Sequence, residues 1–505
     1  MKKSYLLMLA CLLAVLMSCN KLPDNCQEAR DALNIYPTYE GIFIPYNIAP
    51  LNFQINNKAD AYLTSIRSKN GKPLLIKGNH VQIGLKAWKK LLMANKGNDL
   101  FIQVYLKQDG TWSKYPVIHN HIATEPIDNY VVYRYIQPLY TTYEDMTINQ
   151  RNLENFDVKV IFDNRLVSTE KEGLCVNCHS FQNYNKTGNM QMHVRGKLGG
   201  TIIVEHGKEQ KVNPKADGLS MGTVYPSWHP TENLIAYSIN DIGQDFYTKS
   251  LDKVEVLDTK SDLVLYDVAK NEITPIVTTE GWLETMPYWS PDGKWLYYSC
   301  ARYVPKSKDV DSDVANAYAT IRYNLLRMPF DVSTRTFGPA DTIVSAASIG
   351  KSATFPRISP DGKYLLFTMA NYGNFHIWHK SADLYLMNLK TRKFENLAAV
   401  NSPDVESYHA WSSNGRWIIF TSRRDEGGYS RLYIAYFDKN GQAHKPFILP
   451  QKHTDFYQKS FKSFNIPEFI VKPVTTNRNK LVNSIRKEAQ KATLKQSSST
   501  TLLKK

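Results

Sequence analysis

Residues 287–299 read PYWSPDGKWLYYS, and this stretch decides the fold of the chain. A Ser-Pro-Asp-Gly turn separates two short runs of aromatic and aliphatic residues. Proline fixes φ at the start of the turn, and Gly293 supplies the positive φ that a tight hairpin needs. Aromatic residues at this density favour strands. The stretch therefore predicts two antiparallel strands joined by a tight turn.

The same pattern occurs three more times in the C-terminal half of the chain. The copies are YPSWHPTENLIAYS at 225–238, FPRISPDGKYLLFT at 355–368 and YHAWSSNGRWIIFT at 408–421. Equivalent positions lie about 50 to 70 residues apart, which suits a repeat with loop insertions. Further apolar runs follow the copies, at 262–266, 273–277, 324–328, 383–387, 394–397 and 431–434. Four strands per repeat predict the blades of a β-propeller.

A weaker fifth copy begins near His179. Runs at 179–181, 190–194, 200–204 and 210–212 follow the strand order of a blade, and residues 462–466 are the expected closing strand. We therefore predict a β-propeller of about five or six blades over residues 166–470. The tryptophans of the repeats are expected to pack between strands and not to bind a ligand.

Composition limits the class of protein. The chain has 505 residues, of which 43% are hydrophobic and 22% charged, and this excludes a wholly disordered chain and a multi-span membrane protein. The formal charge is +15, but nine Lys and Arg against one acid lie from Lys472 onwards. The rest of the chain is nearly balanced, so the charge does not indicate nucleic-acid binding. Residues 471–505 are predicted to be a basic disordered tail.

The first residues have the pattern of a secretory signal, with Lys2 and Lys3 before an apolar run at 5–17. The run is too short to cross a bilayer, which needs about 20 residues. It ends in LMSC at 16–19, the pattern of a bacterial lipobox, whose cysteine receives diacylglycerol. Ordinary cleavage that leaves Cys19 as a free thiol is the alternative.

We predict from this pattern a signal peptide at 1–18, a lipid on Cys19 and a linker at 19–40. The mature chain is then anchored to a membrane in the cell envelope. Because no retention Asp follows Cys19, the outer membrane is the expected address. Two other cysteines, Cys26 and Cys300, remain free to form one disulfide in an oxidising compartment, although their number alone suggests it.

Residues 175–179 read CVNCH, the attachment signature of a c-type haem. The thiols of Cys175 and Cys178 can each add to one haem vinyl group, and His179 is then the proximal iron ligand. Half of a zinc site is an alternative, but no second CxxC or HxxxH completes four ligands. A thioredoxin-type motif and a chance occurrence are further alternatives. An exported address favours haem attachment.

A haem iron in an electron carrier also needs a sixth ligand. His193 is the first candidate and Met192 the second, because both lie a short loop downstream of the motif. The alternative is that Met190 and Met192 share one face of a strand and point into the hydrophobic core. If all of these side chains face away, the iron is five-coordinate and can bind a small ligand.

The N-terminal half is predicted to form a β-sandwich-like domain over residues 41–165. Apolar runs at 81–85, 100–106 and 130–133 are its candidate strands, and residues 70–71 and 107–110 its candidate hairpin turns. A helix is expected over 86–95, and a connecting helix over 143–156.

The Trp-Ser-Pro-Asp-Gly turn followed by an aromatic-rich strand resembles the TolB-type β-propeller repeat. This resemblance covers about 220–450 and implies a periplasmic scaffold or binding module. The N-terminal module, the CVNCH motif and the repeats together resemble a group of TolB-like lipoproteins of Bacteroidetes. Prolyl-oligopeptidase-type enzymes carry similar blades, but the stretch after residue 450 is too short for a hydrolase domain, so we expect no enzyme of that kind.

The expected function is therefore electron transfer or haem-linked sensing by an envelope lipoprotein, with haem c as cofactor and envelope proteins as partners. A non-redox propeller scaffold that binds envelope proteins or glycans, its CVNCH motif empty, is the alternative. A haem peroxidase is a third hypothesis, and it would need an open distal face with an acid or base nearby.

Overall fold

The structure is a computed structural model that describes residues 21–138, 142–168, 175–217, 219 and 222–495. Cys19 and the predicted signal peptide lie outside the described residues. The chain divides into two compact units. The first ends at Thr124 and includes Pro450–Lys459, and the second comprises Glu125–Leu449 and the residues from Ser460 onwards. This boundary lies near residue 124 and not, as the sequence suggested, near residue 165.

The first unit contains one large mixed sheet and one small sheet. The large sheet has the order β1-β9-β8-β10-β3, with β5 between β6 and β8, and the small sheet has the order β2-β4-β7. Its strands are β1 (Gln27–Glu28), β2 (Ile35–Tyr36), β3 (Phe43–Pro45), β4 (Phe53–Ile55), β5 (Ala61–Arg67), β6 (Leu74–Lys77), β7 (His80–Val81), β8 (Asp99–Gln108), β9 (Thr111–Lys114) and β10 (Ile118–Ala123).

Two local predictions for this unit are confirmed. The helix Leu85–Met93 buries Trp88 and Leu92 on one face, close to the predicted 86–95. The turn between β8 and β9 has positive φ at both Asp109 and Gly110, as a tight hairpin turn requires. The predicted strand at 81–85 is wrong, because β7 ends at Val81 and the helix begins at Leu85.

The second unit is built from four-stranded antiparallel meanders. The first strands of five of them are β14 (Cys175–Phe181), β18 (Thr223–Trp228), β22 (Trp282–Trp289), β27 (Ser352–Ile358) and β31 (Glu406–Trp411). The later strands are β15 (Met190–Arg195), β16 (Gly200–Glu205), β17 (Lys208–Asn213), β19 (Leu234–Phe246), β20 (Val254–Asp267), β21 (Glu272–Val277), β23 (Trp295–Arg302), β24 (Asn324–Asp331), β25 (Thr336–Phe337), β26 (Asp341–Val344), β28 (Tyr364–Ala370), β29 (Asp383–Asn388), β30 (Phe394–Asn396), β32 (Trp417–Ser422), β33 (Arg431–Tyr436) and β34 (Phe447–Ile448).

The sixth meander combines the two ends of the second unit. Its strands have the order β13-β12-β11-β35, from β11 (Tyr130–Ile136), β12 (Thr147–Asn152), β13 (Val158–Asp163) and β35 (Ser463–Ile470). The first strand is β35, which pairs antiparallel with β11. The sequence placed 130–165 in the N-terminal domain, and the predicted helix over 143–156 is wrong. Only Tyr143–Asp145 is helical there, and Thr147–Asn152 is a strand.

These six meanders of the described chain, two of which are joined in one ten-stranded sheet, define an all-β fold of the β-propeller type. Each repeat read in the sequence forms the first two strands of a meander, and the tryptophans Trp228, Trp289 and Trp411 are buried. The first strands contact one another in the order β14, β18, β22, β27, β31 and β35, and β35 also contacts β14. Helices at Val310–Ala317 and Ala346–Ile349 lie in loops between strands.

Each of these first strands carries a bulge at an equivalent position. The residue at the bulge has positive φ in all of them: Cys178, Tyr225, Met286, Phe355, Tyr408 and Ile466, with φ between 45° and 55°. Residues other than glycine rarely adopt this conformation, and it costs of order 1–3 kcal/mol unless the surroundings hold it. An inserted residue also re-aims the side chains that follow it. The repeated bulge therefore orients the residues after it in the same way in every sheet.

The predicted disordered tail is wrong for its described part. A helix spans Arg478–Arg486, and the short strands β36 (Gln490–Lys491) and β37 (Thr493–Leu494) pair parallel with β17 and β21. The Lys211 ammonium donates to the carbonyls of Ile485 and Lys487 at 2.8 and 2.9 Å, which satisfies carbonyls at the end of that helix. No helix in the described part of the chain is long and apolar enough to cross a membrane.

Candidate functional site

A cavity of about 630 Å³ in the second unit is lined by residues from all six first strands. We call it the first-strand cavity. Its volume lies within the range of about 300–1,000 Å³ that small-molecule sites occupy. Part of its lining is an apolar cluster formed by the bulge residues Met286, Phe355 and Tyr408 together with Val256 and Phe375. The cavity is therefore a candidate ligand site with an apolar wall.

The CVNCH motif lies on β14 and lines this cavity. Asn177 pairs with His193 and Ser180 pairs with Gln191, so three steps along β14 oppose two steps along β15. In a regular strand, residues three positions apart point to opposite faces. Because of the bulge at Cys178, the side chains of Cys175 and Cys178 can lie on the same face of the strand although they are three positions apart. Both are partly buried free thiols that line the cavity.

An arginine from the sixth sheet holds the bulge in place. The Arg134 guanidinium donates to the Asn177 side-chain oxygen at 2.6 Å, and the same oxygen accepts from the backbone N–H of Cys178 at 2.7 Å. The side-chain amide of Gln191 donates to the carbonyl of Cys178. Three side chains thus fix the backbone around the second thiol.

His179 is the most unusual residue of the motif. It is 3% exposed, and neither ring nitrogen makes a hydrogen bond of normal geometry. Burial, followed by the charge of Arg134, lowers the pKa of His179 to about 3. The ring is therefore a neutral imidazole, the form that ligates a metal.

The equivalent residue of another repeat shows what a structural histidine does at this position. His409 follows the bulge residue Tyr408 as His179 follows Cys178. It is 2% exposed, but its Nε2 lies 3.1 Å from the carbonyl of Leu366 and its Nδ1 lies 3.4 Å from the Thr368 hydroxyl. His409 is satisfied by the fold, whereas His179 is not.

The thiol chemistry of the motif disfavours a redox dithiol. Burial raises the pKa of Cys175 to about 11, whereas a reactive cysteine needs a lowered pKa. The described residues contain no group of three His, Cys, Asp or Glu side chains that could hold a metal ion, so they provide no zinc site around the motif. The remaining cysteines Cys26 and Cys300 are free thiols, and Cys300 is buried.

The structure does not bring either predicted sixth ligand into the first-strand cavity. Met192 is fully buried in the hydrophobic cluster that also contains Val176 and Phe181, which is the alternative considered for it. His193 lies on β15 with its Nδ1 3.3 Å from the Thr201 hydroxyl, and burial lowers its pKa to about 3. Neither residue is part of the described cavity lining.

Sequence reasoning missed the charged residues of the cavity lining, which are Arg134, Lys186, Arg195, Arg357 and Glu468. Arg357 on β27 is half-buried, donates to the carbonyl of Pro356 at 2.8 Å and lies 4.6 Å from the centroid of the Tyr288 ring. Glu468 on β35 accepts from the backbone N–H of Phe181 at 3.0 Å. Burial raises the pKa of Glu468 to about 8, so the carboxyl is mostly protonated at neutral pH.

The sequence did contain a signal for Arg357 and Glu468. Both lie two positions after the bulge residue of their repeat, and the same position in the other first strands also lines the cavity: Ser180, Ser227, Tyr288 and Ala410. Turn and strand residues around this position are similar between the repeats, but this position changes from small to aromatic to charged. Because the residue type at this position differs from one repeat to the next, the position does not serve the fold alone, and we interpret it as part of a ligand site.

The sequence analysis predicted no hydrolase motif, but residues 218–222 do have the pattern Gly-x-Ser-x-Gly. Three of its residues lie outside the described part of the chain. A nucleophile elbow joins a strand to a helix, whereas the next described element here is the strand β18. The pattern therefore lacks the context of a hydrolase nucleophile.

The comparisons with known proteins are limited to the fold. No family model matches the sequence, and no curated protein matches it. Among solved structures, an oligogalacturonate lyase in complex with manganese is 12% identical over 64% of this chain and 74% of the lyase, with a TM-score of 0.35. Prolyl oligopeptidase B from Galerina marginata is 8% identical over 79% of this chain and 54% of that enzyme, with a TM-score of 0.35.

An ACO/RPE65 chimera is 11% identical over 87% of this chain and 97% of its own, with a TM-score of 0.37. The chain thus spans about half the length of the oligopeptidase and nearly all of the chimera. These likenesses carry no conclusion about fold or activity.

Proposed function

We propose that the protein is a cell-envelope lipoprotein that carries one haem c in the first-strand cavity, attached through Cys175 and Cys178 with His179 as the axial iron ligand. Electron transfer or haem-linked sensing is the function that such a group supports. The single observation that carries the proposal is His179, a buried neutral imidazole whose ring nitrogens make no hydrogen bond of normal geometry, beside two free thiols on the same cavity.

The residues present fit the group. Each thiol can add across one vinyl group, its sulfur bonding one carbon and its hydrogen the other, so attachment needs no oxidant. Arg134 and Asn177 hold the backbone of the motif, and the bulge at Cys178 turns the second thiol towards the cavity of the first. When bound, haem supplies one-electron redox chemistry and an iron site for small ligands.

An empty motif is the less economical alternative. A non-redox TolB-like scaffold for envelope proteins or glycans would leave the His179 imidazole buried without a hydrogen bond of normal geometry, which costs about 1–3 kcal/mol. A metal ligand role removes that cost. His409 shows that a histidine at the equivalent position of another repeat can be hydrogen-bonded. The fold itself therefore does not require His179 to lack such hydrogen bonds.

Neither Met192 nor His193 lines the cavity, so neither predicted sixth ligand would reach an iron bound by His179. The other histidine of the described lining, His409, uses both ring nitrogens within the protein. Two methionines of the lining, Met146 and Met286, are of a residue type that haem iron accepts as a ligand. A peroxidase stays a weaker hypothesis, since Glu468 and Arg357 would have to serve as its polar groups.

The scaffold we propose is a closed TolB-type propeller of six blades. The ordered contacts of the six first strands, with β35 returning to β14, support closure. The sixth blade would then be assembled from β35 and β11–β13, so that strands from both ends of the second unit complete the ring. Attachment to the outer membrane through Cys19 is part of the proposal and rests on the lipobox alone.

The test is a haem-stained denaturing gel of protein expressed with a c-type maturation system. We expect a stained band in the wild type and in Cys300→Ser, a buried thiol away from the motif, and none in the Cys175→Ser, Cys178→Ser double variant. An unstained, correctly folded wild type would reject the haem and leave the scaffold function.

A further inference from the structure

Arg357 differs from three buried or half-buried arginines of the second unit that have a counter-charge. Arg423, Arg424 and Arg431 each pair with a carboxylate, at 3.3, 2.9 and 3.2 Å. No carboxylate of the described residues lies within ion-pair distance of Arg357. A guanidinium withdrawn from water without a counter-charge is costly, so this residue requires an explanation.

The contacts that Arg357 does make leave most of its donors unused. One nitrogen donates to the carbonyl of Pro356, and the group lies over the Tyr288 ring. A guanidinium has five N–H donors. Its exposed part faces the cavity, because Arg357 is half-buried and belongs to the cavity lining. A planar anion in the cavity, such as a carboxylate, can therefore accept two parallel hydrogen bonds from the guanidinium.

Glu468 does not fill this role. It is close enough to Arg357 for their charges to interact, but its carboxyl accepts from the backbone N–H of Phe181. Burial raises its pKa to about 8, so it supplies little negative charge at neutral pH. The other titratable groups that interact with the guanidinium are Tyr288, Tyr408 and His409, and none of them is a carboxylate. The local charge of the cavity at Arg357 is therefore positive.

We infer that Arg357 anchors a carboxylate inside the first-strand cavity through a bidentate ion pair. The Tyr288 ring packs against the guanidinium in this arrangement. The apolar cluster around Phe355 and Met286 contacts the body of the ligand. The ligand class is thus a carboxylic acid with an apolar or aromatic body.

Two sources of that carboxylate are compatible with the cavity. The first is a propionate of the haem, and this source rests on the proposed function. In the order of contacts, β27 is three first strands away from β14 in either direction, so Arg357 lies across the cavity from Cys175 and Cys178. The propionates of haem lie at the edge opposite its vinyl groups, which matches this placement. The second source is a free carboxylic acid that enters the cavity.

The first arm of the experiment uses the holoprotein and its midpoint potential. If a propionate is the partner, Arg357→Gln lowers the potential, because an uncompensated negative charge near the iron stabilises the ferric state. Arg357→Lys restores part of the shift, since it keeps the charge and loses the bidentate geometry. Arg327→Gln is the control, an arginine over the Trp295 ring that does not line the cavity.

The second arm uses titration calorimetry with 2-naphthoate and its neutral analogue 2-naphthamide. In the haem-free Cys175→Ser, Cys178→Ser protein we expect naphthoate to bind at least tenfold more weakly after Arg357→Gln, and naphthamide to be unaffected. If naphthoate binds to the haem-free protein but not to the holoprotein, the natural partner of Arg357 is a haem propionate. Binding to the holoprotein as well identifies a free acid.

The two arms separate this inference from the proposed function. If the wild type carries no haem but naphthoate binding depends on Arg357, the haem proposal fails and the carboxylate anchor stands. If Arg357→Gln changes neither the midpoint potential nor naphthoate binding while Arg357→Lys also behaves as the wild type, the anchor is rejected.

Discussion

At the residue scale, the two histidines that follow bulge residues differ in their hydrogen bonds. Sequence reasoning found His179 through its motif and could not distinguish a haem ligand from a core histidine. The hydrogen bonds of His409 to Leu366 and Thr368 have no counterpart at His179, and this difference supports the proposed role of His179. Such bonds join strands that are more than 40 residues apart, so no local pattern encodes them.

The site residues were therefore predictable in part. The CVNCH spacing gives Cys175, Cys178 and His179 because covalent haem chemistry fixes their order. Arg357 and Glu468 have no motif, because they face the cavity only through the bulge that precedes each of them. Recognising them requires knowing that equivalent positions of separate repeats point to one space.

A buried acid provides a prediction at this scale. Glu284 on β22 is fully buried, and burial, followed by the charge of Asp262, raises its pKa from 4.5 to about 8. Between these values the unfolded chain releases a proton that the folded protein keeps, so stability falls as pH rises from about 4.5 to about 8. We expect Glu284→Gln to be more stable than the wild type at pH 8, by on the order of a few kcal/mol, and this advantage to shrink at pH 5.

The measurement is urea unfolding of both proteins at pH 5 and pH 8. Glu395→Gln, an exposed glutamate on β30, is the control and should change little at either pH. An advantage of the Glu284 variant that stays constant with pH would show that relief of a buried ionisation is not the cause.

At the element scale, the sequence predicted the hairpins of the repeats well because each is closed by its own side chains. In the copy at 355–368, the Ser359 hydroxyl donates to Asp361 at 2.6 Å and accepts from the backbone N–H of Tyr364 at 2.9 Å. Asp361 also accepts from the backbone N–H of Lys363 at 3.2 Å. These bonds are local, so the pattern of turn residues contains them.

The same turn gives a prediction with a control supplied by the chain. Asp361→Ala removes the acceptor for Ser359 and Lys363, and we expect it to lower the free energy of unfolding by about 1 kcal/mol. Asp361→Asn should cost less, because Asn414 takes this role in the copy at 408–421, where Ser412 donates to it at 2.7 Å. Urea unfolding measures both; equal losses in the two variants would show that charge and not the acceptor matters.

The segment 143–156 shows why other elements were not predictable. The local composition predicts a helix, but Thr147–Asn152 is the strand β12, which lies between β11 and β13. That sheet is completed by β35, more than 300 residues later in the chain. Pairing with a distant strand overrides local preference, and no window of sequence around 143–156 contains the partner.

At the scale of the whole molecule, the division into units follows from that distant pairing. The sequence shows where blades repeat, but it does not show that residues 130–163 supply three strands of a sheet whose first strand is β35. Nor does it show that residues after 470 contain a helix and two short strands against β17 and β21. A basic, polar tail is usually solvated, and here specific contacts such as those of Lys211 hold it.

Two truncations test how far the second unit depends on its C-terminal strands. Deleting residues 460–505 removes β35, so β11 loses its partner and the contacts of β35 with β14 and β31 are lost. We expect this protein to lack a cooperative thermal transition, because a missing blade strand exposes two sheet edges and the apolar residues between them.

Deleting 488–505 removes only β36 and β37 and should lower Tm by a few degrees while cooperativity is kept. Near-ultraviolet circular dichroism during heating measures both variants. A cooperative transition at the wild-type Tm after deletion of 460–505 would mean that the other sheets fold without the strand from the C-terminal end, and that the contacts of β35 with β14 and β31 do not stabilise the second unit.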